Sequence, residues 1–359
     1  MKSEKSQSGG RSVTVYLAAA VALAAGAGLL AFPKAVSGAV KGAITDCLEV
    51  VIPSLFAFTV LALWLQKSGI YRAALRFLTF PLSKLLRMDE ELCAVFVLAN
   101  IGGFPTGIKL LSELVESGRL SRDDAGRMLC CCFGSGPSFI IGIVGLRVFN
   151  SAAAGGVLFA ACFASSLLMA AIVRARGEIV LKSAESSGFN LGSECFISSV
   201  VGSARVMFTV CAMIVGFAAI TALFRGIGAI DLLARLFSSS DILEAALEIT
   251  RIKGIAPSNA ALPICAALLS FGGVCVHLQI SALGKGVPLR GFLLSRIPAM
   301  AAAAVFAFPF SRKFAAADIP VIAPQEGAEA FTENGILSVC VLFMGIILLA
   351  SEAAAHKKR

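Results

Sequence analysis

Histidine is nearly absent from this chain of 359 residues: only His277 and His356 occur, and the second is the fourth residue from the C-terminus. One internal imidazole cannot supply a multi-histidine metal site and leaves almost no choice for a Ser-His-Asp triad. No G-x-S-x-G elbow, H-E-x-x-H pair or Walker lysine loop is present either, so neither an enzyme nor a bound cofactor or metal is expected. Charge is also scarce, at 15% against about 25% in soluble domains. Polar-tipped rings are limited to Trp64, Tyr16 and Tyr71. The net charge of +9 therefore does not indicate a nucleic-acid binder, because the basic residues sit at the ends of apolar stretches, where loop orientation uses them. The 11 cysteines include no C-x-x-C pair. Cys130, Cys131 and Cys132, read as consecutive positions on one helix, point in different directions and cannot close a metal tetrahedron. They are expected to be reduced packing residues.

What the chain has in excess is apolar length. Hydrophobic residues make up 58% and the mean hydropathy is +0.88. No Asp, Glu, Lys or Arg occurs at 12–33, 50–66, 92–108, 128–146, 148–173, 206–224, 254–284, 297–311 or 334–351. A spanning helix needs about 20 mostly apolar residues, and these stretches lack the period-two alternation of a membrane β-strand. The fold expected is an all-α polytopic membrane protein embedded in the lipid bilayer. Residues 13–32 exceed a signal-peptide core of about 7–15 residues and read as an uncleaved first span. A second span runs over Thr45–Gln66. The stretch Lys67–Arg87, with Lys67, Arg72, Arg76, Lys84 and Arg87 among apolar residues, reads as an amphipathic helix on the cytoplasmic face.

Leu92–Ile101 is only half a span long. It meets Gly102-Gly103-Phe104-Pro105-Thr106-Gly107, and a second short helix follows. Ten helical residues reach about 15 Å, half of the hydrocarbon core, and three glycines and a proline oppose a continuous helix. This predicts a re-entrant hairpin over 92–117. A third crossing at 128–146 is interrupted at Phe133-Gly134-Ser135-Gly136-Pro137-Ser138, and a fourth covers 151–173. After the Ser-rich linker 177–193, Val206–Phe224 spans again and Gly226–Phe237 repeats the surface pattern. A second Gly-Gly hairpin occupies 261–283, Ile297–Phe310 spans, 311–334 is a loop, and 336–350 closes the chain. At an offset of 170, Gly102-Gly103 falls on Gly272-Gly273; at 169, Arg127 falls on Arg296. The organisation expected is therefore residues 1–40 as tail and first span, 41–176 as one repeat, 194–351 as its inverted copy, and 352–359 as a basic tail. Seven spans from an inside N-terminus put that tail outside, against the positive-inside rule.

Backbone inside a membrane must be hydrogen-bonded internally or line a wet cavity, so the two tips and the broken span predict one solvated site. Its candidate residues are Asn100, Gly102, Gly103, Thr106 and Lys109 from the first hairpin, and Ser135, Gly136 and Ser138 from the broken span. Gly272, Gly273, His277 and Gln279 come from the second hairpin, and Arg296 from the span after it. Helix starts favour anions, and Lys, His and Arg with few facing acids suggest an anionic solute. Structural alternatives stand beside each: glycine pairs for close helix packing, Lys109 snorkelling to the surface, His277 bonded to a carbonyl, Arg127 and Arg296 as interfacial anchors. Asp46 and Glu49 are candidates for ion coupling, with solvation at a span end as the alternative. The coupling ion, H⁺ or Na⁺, and a homo-oligomeric state stay open.

The run Cys47–Phe56 (CLEVVIPSLF), the motif GGFPTGIK at 102–109, GPSFIIGIVG at 136–145 and GGVCVHLQ at 272–279 together resemble the YlbJ-type sporulation integral membrane proteins, within the Gate or nucleoside-recognition superfamily. The resemblance covers roughly residues 40–310. It implies a fold similar to concentrative nucleoside transporters, with two inverted repeats and two re-entrant hairpins. It also implies a role in endospore formation, moving dipicolinic acid across the outer forespore membrane. The chain departs at Phe133-Gly134-Ser135, where related proteins often carry amide side chains. The function expected is a carrier or facilitator of a small anion, dipicolinate above all. Its rivals are a nucleoside carrier and a non-transporting scaffold for spore assembly.

Overall fold

The structure is a computed structural model that describes residues 4–182, 189, 191–237, 239–284 and 286–314. The closing span 336–350, the basic tail 352–359 and most of the 311–334 loop lie outside the described residues, as does much of the linker. Among the described residues all regular structure is helical. Helix α1 covers Glu4–Ala31, and α2 (Pro33–Asp46), a π turn (Cys47–Val51) and α3 (Ile52–Ser68) form one run of 36 residues. Then come α4 (Tyr71–Ala74), α5 (Arg76–Leu86), α6 (Glu90–Gly102), α7 (Phe104–Glu116), α8 (Arg122–Leu129) and α9 (Pro137–Phe139), which continues as a π turn to Val148. The rest are α10 (Ala152–Ala175), α11 (Ser193–Gly226), α12 (Ala229–Phe237), α13 (Ser240–Leu247), a 3₁₀ turn (Ile249–Gly254), α14 (Ala261–Phe271), α15 (Val274–Leu283) and α16 (Arg290–Ala307).

Among the described residues five helical segments are long and apolar enough to cross a membrane: Pro33–Ser68, Ala152–Ala175, Ser193–Gly226, Ala261–Leu283 and Arg290–Phe314. Large apolar side chains stand exposed on their outer faces, with Phe208 at 79% and Ile297 at 71%, as lipid contact requires and water would not tolerate in such number. This is a polytopic helical membrane protein.

Several boundaries differ from the expected ones, for local reasons. The second span begins at Pro33 rather than Thr45, because Pro33 suits a first turn and no breaker lies between it and Asp46. Pro53 has no N–H to give to the Glu49 carbonyl, and the run absorbs that loss as the π turn just before it. The surface stretch 67–87 holds the end of α3, which Gly69 caps in the left-handed region, and then two helices, α4 and α5, divided at Leu75. Cys130, Cys131 and Cys132 do not share a helix: α8 ends at Leu129 and all three lie buried in the turns beyond it.

From Leu92 to Ala99 helix α6 is apolar all round and buried on every side. Against lipid rather than water, such burial gains chiefly packing contacts, and small residues exploit them. A Cβ on Gly145 would lie 2.7 Å from Gly155 Cα, so the π turn after α9 and the start of α10 touch backbone to backbone. α6 and α7 pack side by side. Their outer ends are clamped by Arg119, whose Nη1 and Nη2 donate to the two Glu91 carboxylate oxygens at 2.6 and 2.7 Å, a bidentate pair. The segment 261–283 is not a closed hairpin of this kind. α14 packs on α16 and α10, whereas α15 packs on α11 and α7, so Gly272-Gly273 separates two helices with different neighbours.

Candidate functional site

Three interruptions of helix meet in the interior. At the first, Gly103 adopts φ +89°, a conformation glycine tolerates, and Pro105 starts α7 where its missing N–H costs nothing. At the second, α8 stops and the chain runs irregularly to Gly136 (φ +75°) before α9. The two interlock: a Cβ on Gly136 would lie 3.0 Å from the Ile101 carbonyl and 3.3 Å from Gly103 N. The third is Gly272-Gly273, at φ +86° and +82°. A Cβ on Gly272 would touch the rings of Phe133 (2.5 Å) and Phe104 (3.1 Å), and one on Gly273 would sit 3.2 Å from Ile249 N. The two Gly-Gly tips therefore approach one another, through Phe104.

The expected site residues divide around this meeting point. Asn100 is buried and donates Nδ2 to the carbonyls of Phe96 (2.8 Å) and Cys131 (3.2 Å), tying α6 to the second interruption. Thr106 Oγ1 donates to the Gly102 carbonyl (2.8 Å) and lies 3.2 Å from Thr59 Oγ1. Ser135 Oγ donates to the Leu269 carbonyl (3.2 Å), a bond across to α14. Ser138 is half-buried. Gln279 is buried, with Nε2 on Cys275 Sγ at 3.4 Å.

The expected cations do not converge on one ligand position. Lys109 of α7 pairs with Glu113 one turn on at 3.2 Å, a carboxylate that Lys67 at the end of α3 shares at 3.3 Å. His277 sits in a box of rings, stacked on Phe133 (4° between planes) and edge-on to Phe271 and Phe292. Arg296 is 3% exposed. It donates to the carbonyls of Ser270 (3.3 Å) and Cys130 and to Ser295 Oγ, and lies 4.7 and 4.8 Å from the rings of Phe133 and Phe292. Its partners are the negative ends of α14 and α8, so it staples the third interruption to the second. Arg127 donates to the carbonyls of Val173 (3.2 Å) and Gly177 (2.7 Å) and caps the end of α10. Asp46 is paired with Lys253 at 2.6 Å, and Glu49 is exposed.

Beside the interlocked glycines lies a cavity of about 40 Å³. One water needs roughly 10–15 Å³ on this measure, so it has room for a few waters and no solute-sized guest. Ser54 and Leu55 of α3, Phe104 and Pro105 of α7, Ser135, and Val276 and Gln279 of α15 line it, with Val210 and Ile214 closing it from α11. Its ionisable residue is Glu248, which sequence inspection missed. Glu248 is 4% exposed and joins α13 to the following 3₁₀ turn. Its carboxylate accepts from Thr250 N at 3.0 Å and from Thr250 Oγ1. Burial pushes its pKa above the ordinary carboxylate range, while the Thr250 bonds pull it back. The signal in the sequence was Glu-x-Thr at a turn start, since a carboxylate there caps the free amide two residues on. Among the described residues no cluster of three or more His, Cys, Asp or Glu is placed to hold a metal.

No family model matches this chain, and no solved structure does. Over 149 residues it is 29% identical to the "Sporulation integral membrane protein YlbJ" of Bacillus subtilis (strain 168), a stretch that makes up 42% of this chain and 36% of that protein. The match thus spans little more than a third of the relative's length. On motifs and on this comparison alike, the chain is similar to a YlbJ-type sporulation integral membrane protein.

Proposed function

We propose that this chain is a membrane carrier for a small anionic solute, dipicolinate in the outer forespore membrane of a spore-forming cell. It works by alternating access around the two Gly-Gly tips. The observation that carries this reading is the cavity, onto which the first turns of α7 and α15, the two helices that follow the tips, both open. Helix starts carry partial positive charge; at α7 Pro105 has no N–H and Thr106 N already donates to the Gly103 carbonyl at 3.0 Å, so a carboxylate seated there would be held by the field of the two starts rather than by a dedicated cation. The present volume fits an occluded state, and a solute-sized site forms when the tips part. The offsets between the Gly-Gly motifs support two repeats of opposite orientation rocking about that point.

The test is uptake of labelled dipicolinate into liposomes containing the purified protein, with and without excess unlabelled nucleoside. Saturable uptake that nucleoside leaves unchanged supports the anion carrier. Uptake that nucleoside abolishes assigns the same fold to a nucleoside, and the absence of saturable dipicolinate uptake contradicts the anion carrier.

A further inference from the structure

A cavity meant for an anion should not contain a second negative charge, yet Glu248 lines it. The basic groups around it are engaged or distant. Lys253 is paired with Asp46, Arg225 with Glu244, and Arg251 makes no ion pair among the described residues. The ionisable groups facing Glu248 are Asp46 and Cys47 from the end of α2 and its π turn, Cys275 from α15, and Arg251 of its own turn. None of them neutralises it at contact distance. Bringing a dianion beside a buried carboxylate is strongly unfavourable at interior dielectric.

We propose that Glu248 is the proton-binding group of the carrier, protonated when the anion occupies the cavity and deprotonated when it is empty. This rests on the carrier reading above and deepens it by naming the coupling ion and its residue. The step is balanced within the site: a proton from water forms an O–H bond on Glu248 Oε2. The Thr250 hydroxyl, which donates to that oxygen in the charged state, then turns to accept from it. Thr250 N keeps its bond to the other oxygen in both states. The proton leaves to the opposite side once the solute has gone. The position also couples protonation to movement. Gly273 packs on Ile249 N and on the Ala245 and Ala246 carbonyls, each within 3.2–3.4 Å of its Cβ position, so the second tip rests on the backbone that carries Glu248.

The experiment is infrared difference spectroscopy of the full-length protein in liposomes across a pH titration, with uptake measured on the same preparations. In the wild type a carboxylic-acid carbonyl band should rise as pH falls; it should be missing in Glu248→Gln. Whatever uptake remains in that variant should no longer vary with pH and should no longer be driven by a pH gradient. Thr250→Val, which keeps the backbone donor, should move the band's midpoint up by about 1 pH unit, because the charged form loses a charge-assisted hydrogen bond and the neutral form only a weaker one. It serves alone if Glu248→Gln does not fold. A band that persists unchanged in Glu248→Gln, or a midpoint that Thr250→Val does not move, overturns the proposal. So does pH-gradient-driven accumulation by Glu248→Gln. If the band behaves as described while the wild type carries no solute, the proton site stands and the carrier reading is the one that fails.

Discussion

Arg296, a candidate for solute contact with an interfacial anchor as the alternative, is bound in the structure by groups of the protein itself. Among the described residues no acid pairs with it; two helix-end carbonyls and two phenylalanine rings satisfy it instead. Arg296→Ala should therefore lower stability by about 3 kcal/mol, read as a lower unfolding midpoint in detergent. Arg296→Lys should recover only part of this, since an ammonium cannot reproduce the planar fork. Glu248 gives a prediction of opposite character. Its folded pKa is raised, so the folded state binds the proton more tightly than the unfolded chain does. Its contribution is present below the ordinary carboxylate range and is lost as pH climbs through the raised value. The unfolding midpoint should fall with rising pH over that window in the wild type, and the slope should shrink in Glu248→Gln. An equal slope in both would place the titration elsewhere. At this scale the sequence was half legible. The spacing of Lys109 and Glu113, at i and i+4, carried an ion-pair signal that the reading of Lys109 as a site residue or a snorkelling lysine passed over. Glu248 was hidden because it stands among Asp241, Glu244, Arg251 and Lys253 in a stretch that reads as surface. Only the long-range packing of α15 and the second tip buries it.

At the scale of elements, glycine and proline made the interruptions readable, because their backbone requirements are local. Gly103, Gly136 and Gly272-Gly273 all take positive φ where a helix was expected to stop. Which pieces then lie against which depends on distant partners, and there expectation and structure part: α6 and α7 close on one another while α14 and α15 do not. The π turn before Pro53 was likewise invisible as such, although its cause, the missing proline N–H, was not. If the α6–α7 pair enters and leaves the bilayer on one side, cysteines placed at the exposed ends Glu90 and Glu116 should both react with an impermeant maleimide from the cytoplasmic face. Labelling of the two positions from opposite faces would make the pair a full crossing.

For the molecule as a whole, composition alone settled the class: long charge-free stretches leave little alternative to a helical membrane protein, and five segments among the described residues have the length and hydropathy to cross. Function was less legible, since the cations that suggested an anion site are engaged with protein groups and do not line the cavity beside the tips. The proposed carrier mechanism therefore assigns solute contact to Ser135 and Gln279, which line the cavity beside the tips, and leaves Lys109 to its pairing with Glu113. The direct measurement is dipicolinate uptake by liposomes containing wild type, Ser135→Val, Gln279→Leu or Lys109→Ala. The mechanism predicts saturable wild-type uptake, a KM raised about tenfold in each cavity variant through loss of one hydrogen bond, and near-normal uptake in Lys109→Ala. Uptake abolished by Lys109→Ala but indifferent to the cavity variants would contradict it.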